Sequence, residues 1–568
     1  MYINQVPYGG STYGIEEAAR AFFGKHAKDL RISEAALLAG LPQAPSLYSP
    51  YLNPELTVKR RNDVLQKMYE QKYITKKEKE NAEAESPQIQ PLQTSIKAPH
   101  FVFYVKTQLE QLYGVDQVEE GGLNITTTLD LDTQEEAEKI LKEELTKVKN
   151  LNVSNGAILS TRPTTGEILA MVGSADYFAT GSGAFNVTTA LRQPGSSIKP
   201  LNYAVGIDRH IVTPGTIFLD VPTCFPGGGA KKYCPVNYDG QFHGLVPLRM
   251  ALGNSFNIPA VKMLGMNGID TFLASASALT ISSFNEAKDY GLSLTLGGGE
   301  VRMTEMAQAF SAFANRGKVM KLTSILKVQD KTGKILYEFK DPNYAADLKK
   351  PITMPNFYAI TGNKVFGEDT AFLISHILLD NNARSQAFGP SSFLNVAKHA
   401  VSLKTGTTYD KKDNWTIGYT PNFLTAVWVG NNNNTPMNPY LTSGITGAAP
   451  IWNRVMTYLL KNQPDLWPIK PENVVGKQVC YSTGELMTKK EDGSESCPSR
   501  FEYFIKGTEN IVGGITTTKK QLLINKDNNK EAKEGDGNVE MQEKTVIQDG
   551  YSTYCVDCAH DAAPTPTP

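Results

Sequence analysis

Residues 156–173 read GAILSTRPTTGEILAMVG, two apolar runs on either side of a Thr-Gly turn. This pattern predicts a β-hairpin. A second pair of apolar runs, NWTIGYTP at 414–421 and FLTAVWVGN at 423–431, turns at Pro421 and Asn422. The chain between the two pairs is mainly helical in pattern. We therefore predict an α+β domain whose antiparallel sheet, flanked by helices, joins distant segments of the chain.

The sequence changes character on both sides of this domain. The stretch 15–90 has the 3.6-residue apolar spacing of helices, and 526–544 (KDNNKEAKEGDGNVEMQEK) has almost no apolar residues. We therefore expect a multidomain chain. The expected segments are 1–90, mostly helical; 91–150, a linker with structure of its own; 151–465, the α+β domain; 466–525, a small Cys-bearing segment; and 526–568, a disordered tail.

Composition excludes some classes of function. The 568 residues include 57 Lys and Arg against 58 Asp and Glu, a net charge of -1. Nonspecific nucleic-acid binding needs a surplus of basic residues, so no nucleic-acid partner is expected. The sequence has no run of 18 apolar residues and no signal peptide, so we expect neither a spanning helix nor a targeting segment in it.

Six cysteines stand in three local pairs: Cys224 with Cys234, Cys480 with Cys497, and Cys555 with Cys558. A zinc site needs a second CxxC or a histidine pair at ligand spacing, and neither is present, so no metal is expected. The spacing is compatible with three local disulfides in an oxidising compartment and equally with reduced thiols.

The stretch with the clearest chemistry is RQPGSSIKP at 192–200. Ser196 and Lys199 are three residues apart, so a helix that begins near Ser196 places both side chains on one face. A desolvated lysine can take the proton of a serine hydroxyl, and a helix N-terminus favours a developing oxyanion. The pattern also arises by chance, since Ser324 and Lys327 have the same spacing.

Two further motifs follow in order. Ser255 and Asn257 lie in GNSFNIP, where both can face a cleft from a short loop. Lys404, Thr405 and Gly406 open a strand that carries a cation and a hydroxyl, with a glycine that leaves room for a substrate backbone at the strand edge. The decoys do not combine into such a series of helix start, loop and edge strand. They are Ser324 with Lys327, Ser283 with Asn285, and 331–333.

The trio SxxK, SxN and KTG resembles the signature of penicillin-binding proteins and serine β-lactamases. The wider text resembles the transpeptidase domain of the class A penicillin-binding proteins of the 1A family over residues 95–465. The stretches that carry this resemblance are TGEILAMVG, RQPGSSIKP, LGNSFNIPAVK, LTLGGGEVRMTEMAQAFSAFANRG and WTIGYTP. The family is bifunctional, with a lipid II glycosyltransferase domain of lysozyme-like fold ahead of the transpeptidase.

The resemblance implies peptidoglycan D,D-transpeptidation through a serine acyl-enzyme. Ser196 would attack the penultimate D-Ala carbonyl of a stem peptide ending in D-Ala-D-Ala, with Lys199 accepting its proton. Ser255 would relay a proton to the leaving amine, and Asn257 would position the substrate amide and Lys199. β-Lactams would acylate the same serine. No metal or organic cofactor is needed.

The same resemblance assigns the substrate-binding strand. Lys404 and Thr405, in the KTG motif with Gly406, would hold the terminal carboxylate of the peptide. The backbone N–H groups of Ser196 and Thr407 would form the oxyanion hole.

The N-terminal text also resembles the family, in YGIEEAARAFFGK, EAALLAGLPQAPSLYSP and RRNDVL, which are similar to the C-terminal portion of the glycosyltransferase domain. The sequence starts at MYINQ, inside a later motif of that domain. We therefore expect an N-terminally truncated member without the membrane helix, the catalytic glutamates or glycosyltransferase activity. Arg60 and Arg61 of that domain are as readily solvated as functional.

The family implies a place at the extracytoplasmic face of the bacterial membrane for the full-length protein, reached only through the missing N-terminal anchor. Such a location favours disulfides at Cys224 with Cys234 and Cys480 with Cys497.

Several alternatives remain. A D,D-carboxypeptidase would pass the acyl group to water, and a noncatalytic β-lactam sensor or wall scaffold would use the same pocket. A class A β-lactamase needs an ExxLN carboxylate between Asn257 and Lys404, which is absent. An α/β-hydrolase needs a GxSxG elbow, which is also absent. His243 is expected to be a structural hydrogen-bonding residue, and Gly297 to allow a tight backbone approach behind the site.

Overall fold

The computed structural model describes residues 2–9, 12–45, 47–90, 96–227, 232–438, 446–533 and 535–560. These residues belong to two compact units, Met1–Lys97 and Ala98–Pro568. Within the described ranges, no helix is both long and apolar enough to cross a membrane.

The first unit is mostly helical, as the sequence predicts. Its elements are β1 (Pro7–Gly9), β2 (Thr12–Tyr13), α1 (Ile15–Phe23), α2 (Ile32–Gly40), α3 (Pro54–Glu70) and α4 (Lys76–Ala84). Phe22 and Phe23 of α1 pack against Leu38 of α2 in its core. Arg61 is buried in α3 and donates from Nη1 to the Glu85 carbonyl at 2.7 Å. This arginine therefore supports the fold of the unit.

The second unit contains the remaining elements. They are α5 (Pro99–Tyr113), α6 (Val115–Glu119), β3 (Asn124–Thr127), α7 (Leu131–Lys147), β4 (Asn155–Thr161), β5 (Ile168–Val172), α8 (Lys199–Asp208), β6 (Ile217–Asp220), β7 (Phe225–Pro226), β8 (Lys232–Tyr233), β9 (Gly244–Pro247), α9 (Leu248–Gly253), α10 (Asn257–Asn267), α11 (Ile269–Ala278), α12 (Met303–Ala314), β10 (Lys318–Val319), β11 (Ile325–Gln329), β12 (Ile335–Glu338), β13 (Asn363–Lys364), α13 (Glu368–Leu379), α14 (Asn381–Phe388), β14 (Ser402–Thr407), β15 (Asp413–Tyr419), β16 (Leu424–Gly430), α15 (Ala448–Leu460), β17 (Val474–Cys480), β18 (Ser499–Ile505), β19 (Thr516–Asn525), β20 (Lys530–Glu531), β21 (Val539–Gln548) and β22 (Thr553–Cys555).

A five-stranded antiparallel sheet organises this unit, in the order β14-β15-β16-β4-β5. Both hairpins predicted from the sequence form, β4 with β5 and β15 with β16. β16 then pairs with β4, with Val427 opposite Ile158, and so joins segments more than 250 residues apart. The prediction of an α+β domain whose sheet joins distant segments is confirmed. β14 is an edge strand of this sheet.

The sheet separates two hydrophobic cores. Successive residues of a strand point to opposite faces, and along β4 Leu159 faces one core while Ile158 faces the other. The first core includes buried residues of α5, α8, α12 and α13, and the second includes residues of α7 and α15. Because both faces are covered, the strands read as continuous apolar runs.

The segment expected to be a linker, 91–150, contributes to this body in both halves: α5 packs in the first core. α7 packs in the second core, and β3 pairs with β11. The structure divides the described chain at Lys97, so the finer boundaries at 150, 465 and 525 stay predictions.

The expected disordered tail differs from the structure. Strand β21 pairs with β19 over ten residues each, from Val539 opposite Asn525 to Gln548 opposite Thr516. Most residues of the two strands are exposed or half-buried, and backbone pairing supplies much of their order. Ile524, near one end of this two-stranded ribbon, is fully buried in a small cluster with Cys555 and Cys558. Ile547 is buried and anchors the other end of the ribbon. The final stretch, 561–568, lies outside the described residues.

Three disulfides join the cysteines: Cys224–Cys234, Cys480–Cys497 and Cys555–Cys558. Each closes a local loop, as the sequence spacing allows. We expect alkylation of the protein from an oxidising compartment to leave all six cysteines unmodified until a reductant is added. Mass spectrometry with and without reductant checks this, and alkylation of the six thiols in unreduced protein would contradict it.

A buried ion pair joins β18 to α9. Arg249 of α9 donates from Nε to Glu502 Oε2 at 2.9 Å, and Glu502 is fully buried. A second arginine, Arg500, donates to the same carboxylate at 2.7 Å.

Removing Glu502 leaves two arginines facing a space without their carboxylate. We expect E502A to lower the free energy of unfolding by about 3–5 kcal/mol. E540A, which removes the exposed partner of Lys526, should cost less than about 1 kcal/mol. Urea denaturation followed by intrinsic fluorescence measures both, and equal midpoints for the two variants would contradict the expectation.

Candidate active site

Ser196 lies in a tight turn that enters a helix. Gly195–Ile198 form a 3-10 turn that continues into α8. Gly195 has a φ of 54°, a conformation that favours glycine. Ser196 is half-buried, whereas its neighbours from 194 to 200 are all buried. The turn therefore presents one hydroxyl to solvent from an otherwise closed segment, as the sequence predicts for a helix that starts near Ser196.

Lys199 is fully buried and surrounded by hydrogen-bond acceptors. Its Nζ donates to the Ser255 carbonyl at 2.6 Å and to Asn257 Oδ1 at 2.7 Å. Burial holds the pKa of Lys199 well below its usual value, the charge of Lys404 lowers it further, and Asp220 opposes both. A lowered pKa favours the neutral amine form of Lys199, which can accept a proton.

Ser255 and Asn257 meet Lys199 from the loop between α9 and α10. Ser255 adopts a left-handed backbone conformation with φ 64°, which costs a non-glycine residue about 1 kcal/mol or more and persists only where the surroundings hold it. Asn257 begins α10, and its Nδ2 donates to the Val236 carbonyl at 2.7 Å. The asparagine side chain is thus held at both ends, one on Lys199 and one on the facing loop.

Lys404, on the edge strand β14, contacts the hydroxyl of Ser255. Its Nζ donates to Ser255 Oγ at 2.8 Å and to the Thr405 carbonyl at 2.9 Å. Ser255 Oγ lies 3.4 Å from Lys199 Nζ, so this hydroxyl bridges two amines. Burial, and then the charge of Arg384, lower the pKa of Lys404 to about 7.

The turn that carries Ser196 sits directly on β14. A Cβ added to Gly406 would lie 2.3 Å from the Pro194 carbonyl oxygen, and one added to Gly195 would lie 2.8 Å from the Thr407 nitrogen. From the sequence, we expect Gly406 to leave room for a substrate backbone at the strand edge. The structure adds a second reason for glycine at this position, because a side chain there would collide with the chain's own Ser196 turn.

Two more contacts fix this turn. Trp415 of β15 donates from Nε1 to the Gln193 carbonyl at 2.8 Å. Gly297 lies behind Gly195, where an added Cβ would be 2.3 Å from the Gly195 nitrogen. The close backbone approach expected at Gly297 is therefore present.

The structure brings together all the residues predicted for the site: Ser196 and Lys199 at the start of α8, Ser255 and Asn257 at the start of α10, and Lys404, Thr405, Gly406 and Thr407 on β14. The second SxxK pair lies in a different type of secondary structure. Ser324 and Lys327 lie at β11, and residues three apart in a strand point to opposite faces.

Sequence reasoning missed two buried residues of this region. Arg384 of α14 is buried near Lys404 and donates from Nη1 to the Leu378 carbonyl at 2.8 Å. Asp220 at the end of β6 is fully buried near Lys199. Neither lies in a short motif, so spacing carried no signal for them.

The site offers hydroxyls, two amines of lowered pKa, a side-chain amide and a sheet edge. A half-exposed hydroxyl one helical turn from a buried amine of lowered pKa can act as a nucleophile, and the edge strand beside it can bind an extended peptide. The arrangement suits acyl transfer between peptides.

Comparison with known families gives two matches. The family described as "Transglycosylase" matches residues 1–69. The family described as "Penicillin binding protein transpeptidase domain" matches residues 156–457, the span of the central sheet and the site.

Two relatives resemble most of the chain. Penicillin-binding protein 2D of Bacillus subtilis is 33% identical over 533 residues, which cover 91% of this chain and 72% of the relative. Penicillin-binding protein 1A of Aquifex aeolicus is 29% identical over 90% of this chain and 76% of its own.

Solved structures have the same fold. The crystal structure of penicillin-binding protein 1A from Haemophilus influenzae superposes with a TM-score of 0.63 at 25% identity, over 90% of this chain and 91% of that one. The PonA1 protein from Mycobacterium tuberculosis, in complex with penicillin V, has a TM-score of 0.53 at 23% identity, over 66% of this chain and 96% of that one. Because a transglycosylase match precedes a penicillin-binding transpeptidase match on one chain, and a relative 33% identical spans most of it, the chain belongs to the class A penicillin-binding proteins and is a peptidoglycan transpeptidase of cell wall synthesis.

Proposed function

We propose that Ser196 is the nucleophile of this transpeptidase and that its substrates are stem peptides ending in D-Ala-D-Ala. The observation that carries the proposal is Lys199, a fully buried lysine of lowered pKa one helical turn after the half-exposed serine. Ser196 Oγ forms a bond to the penultimate D-Ala carbonyl carbon, and its proton passes to Lys199 Nζ. The peptide C–N bond breaks and D-Ala leaves.

Ser255 is proposed to carry the proton to the leaving amine. Its Oγ stands within 3.4 Å of Lys199 Nζ and 2.8 Å of Lys404 Nζ, so it can receive a proton from one side while the other side orients it. Asn257 Oδ1 holds Lys199 Nζ in place through its 2.7 Å hydrogen bond. In the second half-reaction an amine of a neighbouring stem peptide attacks the ester carbonyl, and Ser196 Oγ regains its proton.

The edge strand is proposed to bind the donor peptide. Lys404 in its charged form attracts the terminal carboxylate, and Thr405 adds a hydroxyl beside it. The N–H groups of Ser196 and Thr407 form the oxyanion hole, which the close packing of the Gly195 turn on Thr407 supports. Gly406 makes that packing possible.

β-Lactams are proposed as covalent inhibitors that acylate Ser196. The place of action proposed for the protein is the extracytoplasmic face of the cell membrane, where peptidoglycan is cross-linked. The three disulfides support a location in an oxidising compartment.

The nucleophile is tested by covalent labelling with a fluorescent penicillin. We expect S196A to lose all label, because Ser196 is the half-exposed serine at the helix start, whereas Ser197 beside it is fully buried and donates to the Pro194 carbonyl. S324A removes the serine of the other SxxK pair, on a strand, and should label like the unchanged protein. Labelled S196A would contradict the assignment. Absence of label on folded wild-type protein would remove the proposed function altogether.

The acceptor is tested with a D-Ala-D-Ala peptide and a D-amino acid. We expect release of D-Ala to be matched by formation of the exchange product, which S196A should abolish. Release of D-Ala without any exchange product would make the protein a D,D-carboxypeptidase, in which water takes the acyl group.

The pKa of Lys404 predicts how acylation depends on pH. Below pH 7 the ammonium form attracts the ligand carboxylate, and above pH 7 the neutral amine does not. The second-order rate constant for acylation by benzylpenicillin should therefore fall above pH 7, towards about tenfold per pH unit. Stopped-flow measurements from about pH 6 to about pH 9 check this expectation.

K404R provides the matched control for the pH profile. Arginine stays charged throughout this range, so K404R should acylate more slowly than wild type but with a nearly flat profile. A wild-type rate constant that stays level or rises between pH 7 and pH 9 would contradict the role given to Lys404.

A further inference from the structure

A buried carboxylate lies across from the Ser255–Asn257 loop. Asp220, at the end of β6, has no solvent exposure. Its Oδ2 accepts hydrogen bonds from Asn237 Nδ2 at 2.8 Å, from the His243 backbone N–H at 3.0 Å and from His243 Nδ1 at 2.7 Å. The Asp220 carboxylate is thus hydrogen-bonded to two residues, Asn237 and His243, near the other end of the 220–243 segment.

Asn237 connects Asp220 to the active site through hydrogen bonds. Its Oδ1 accepts the backbone N–H of Asn257 at 2.6 Å, and the carbonyl of its neighbour Val236 accepts Asn257 Nδ2 at 2.7 Å. Asn257 Oδ1 in turn accepts the Lys199 amine. The path from Asp220 to the proposed base therefore consists of three successive hydrogen-bonded contacts.

His243 supports the same loop from a second side. Its ring stacks on Phe256, the residue between Ser255 and Asn257, with centroids 3.9 Å apart and an angle of 15°. Burial lowers the pKa of His243, but hydrogen bonds to Asp220 and Asp239 outweigh burial and raise the pKa to about 9. The histidine is thus a cation at neutral pH and balances the buried charge of Asp220.

An ionised carboxylate suits this position because the three donors that face it, two on His243 and one on Asn237, all need an acceptor. An amide there offers one acceptor oxygen and places its own donors against other donors. The left-handed backbone conformation of Ser255 persists only where the surroundings hold it. The contacts of Asp220, Asn237 and His243 supply this support to the Ser255–Asn257 loop.

We propose that Asp220 is a positioning residue for acylation, acting through Asn237 to hold Asn257 on Lys199. The inference rests on the proposed function. Asp220 touches neither substrate nor Ser196, and its effect is on the step in which Lys199 takes the proton. Loss of Asp220 therefore slows bond formation, whereas the noncovalent binding of a β-lactam, which depends on Lys404 and β14, is retained.

The test separates binding from acylation with a fluorescent penicillin under stopped-flow conditions. D220N should lower the acylation rate constant by about tenfold or more, since small misplacements at a reacting centre have effects of this size. The dissociation constant of the noncovalent complex should stay within about threefold of wild type. D239N removes the half-exposed carboxylate on the other ring nitrogen of His243, does not touch Asn237, and should acylate within about twofold of wild type.

A double-mutant cycle tests whether Asp220 acts through Asn237. N237S shortens the side chain so that it cannot reach the Asn257 N–H, and it should slow acylation to a similar degree. D220N/N237S should be about as slow as the slower single variant, because both changes break one path. Effects that multiply would overturn the proposal, since Asp220 would then act independently of Asn237.

Two other outcomes would overturn the inference. D220N that folds and acylates within twofold of wild type overturns the inference. A smaller active fraction with a normal rate constant in the remaining protein also overturns it, because the carboxylate would then serve folding alone. If D220N yields no folded protein, D220E takes its place in the cycle, with the charge kept and displaced by one methylene. Wild-type protein without any label would count against the proposed function and not against this contact.

Discussion

Two buried amines share one hydroxyl, and the rest of the transpeptidase domain is arranged around that constraint. Lys199 Nζ and Lys404 Nζ lie 3.4 and 2.8 Å from Ser255 Oγ, and both side chains are buried. Two ammonium groups this close, away from water, repel strongly. Burial lowers the pKa of each. The lowered pKa values favour the neutral amine form, which is the form that can take the proton of a serine hydroxyl.

Close backbone packing fixes the position of the Ser196 turn. Gly195, Gly297 and Gly406 stack at the Ser196 turn, and an added Cβ at any of them would lie 2.3–2.8 Å from backbone atoms of the neighbouring segment. The turn is thus pressed between β14 and the 297 loop. A side chain on such a turn is held between two neighbouring chain segments, which keeps its position rigid without bulky side chains around it.

Local patterns made much of this predictable. Each hairpin of the central sheet is formed by neighbouring runs, so period and turn residues were sufficient to predict it. The three motifs at Ser196, Ser255 and Lys404 could be told from their decoys because each stands in the right local structure. The decoy Ser324 precedes a strand, as its alternating pattern indicated.

The features that could not be predicted depend on contacts between distant residues. Asp220 and Asn237 are 17 residues apart in a loop without a motif, and their importance comes only from facing Asn257. Arg384 stands in no recognisable sequence motif. Its charge lowers the pKa of Lys404 because the fold buries both side chains in the same region. Strand β21 lies in the 526–568 segment, whose first part has almost no apolar residues, so composition alone predicted a disordered tail there.

An ion pair between Lys262 and Asp549 connects the helix beside the site to the polar C-terminal segment. Lys262 lies on α10, the helix that Asn257 begins, and its buried Nζ donates to the Leu219 carbonyl, beside Asp220, and to Asp549 Oδ2, both at 2.7 Å. Asp549 follows β21. A buried ammonium group needs a counter-charge, and for Lys262 the counter-charge comes from a loop of the C-terminal sheet. The helix that presents Asn257 to Lys199 is therefore pinned at its back by the part of the chain whose sequence looks least like a folded domain.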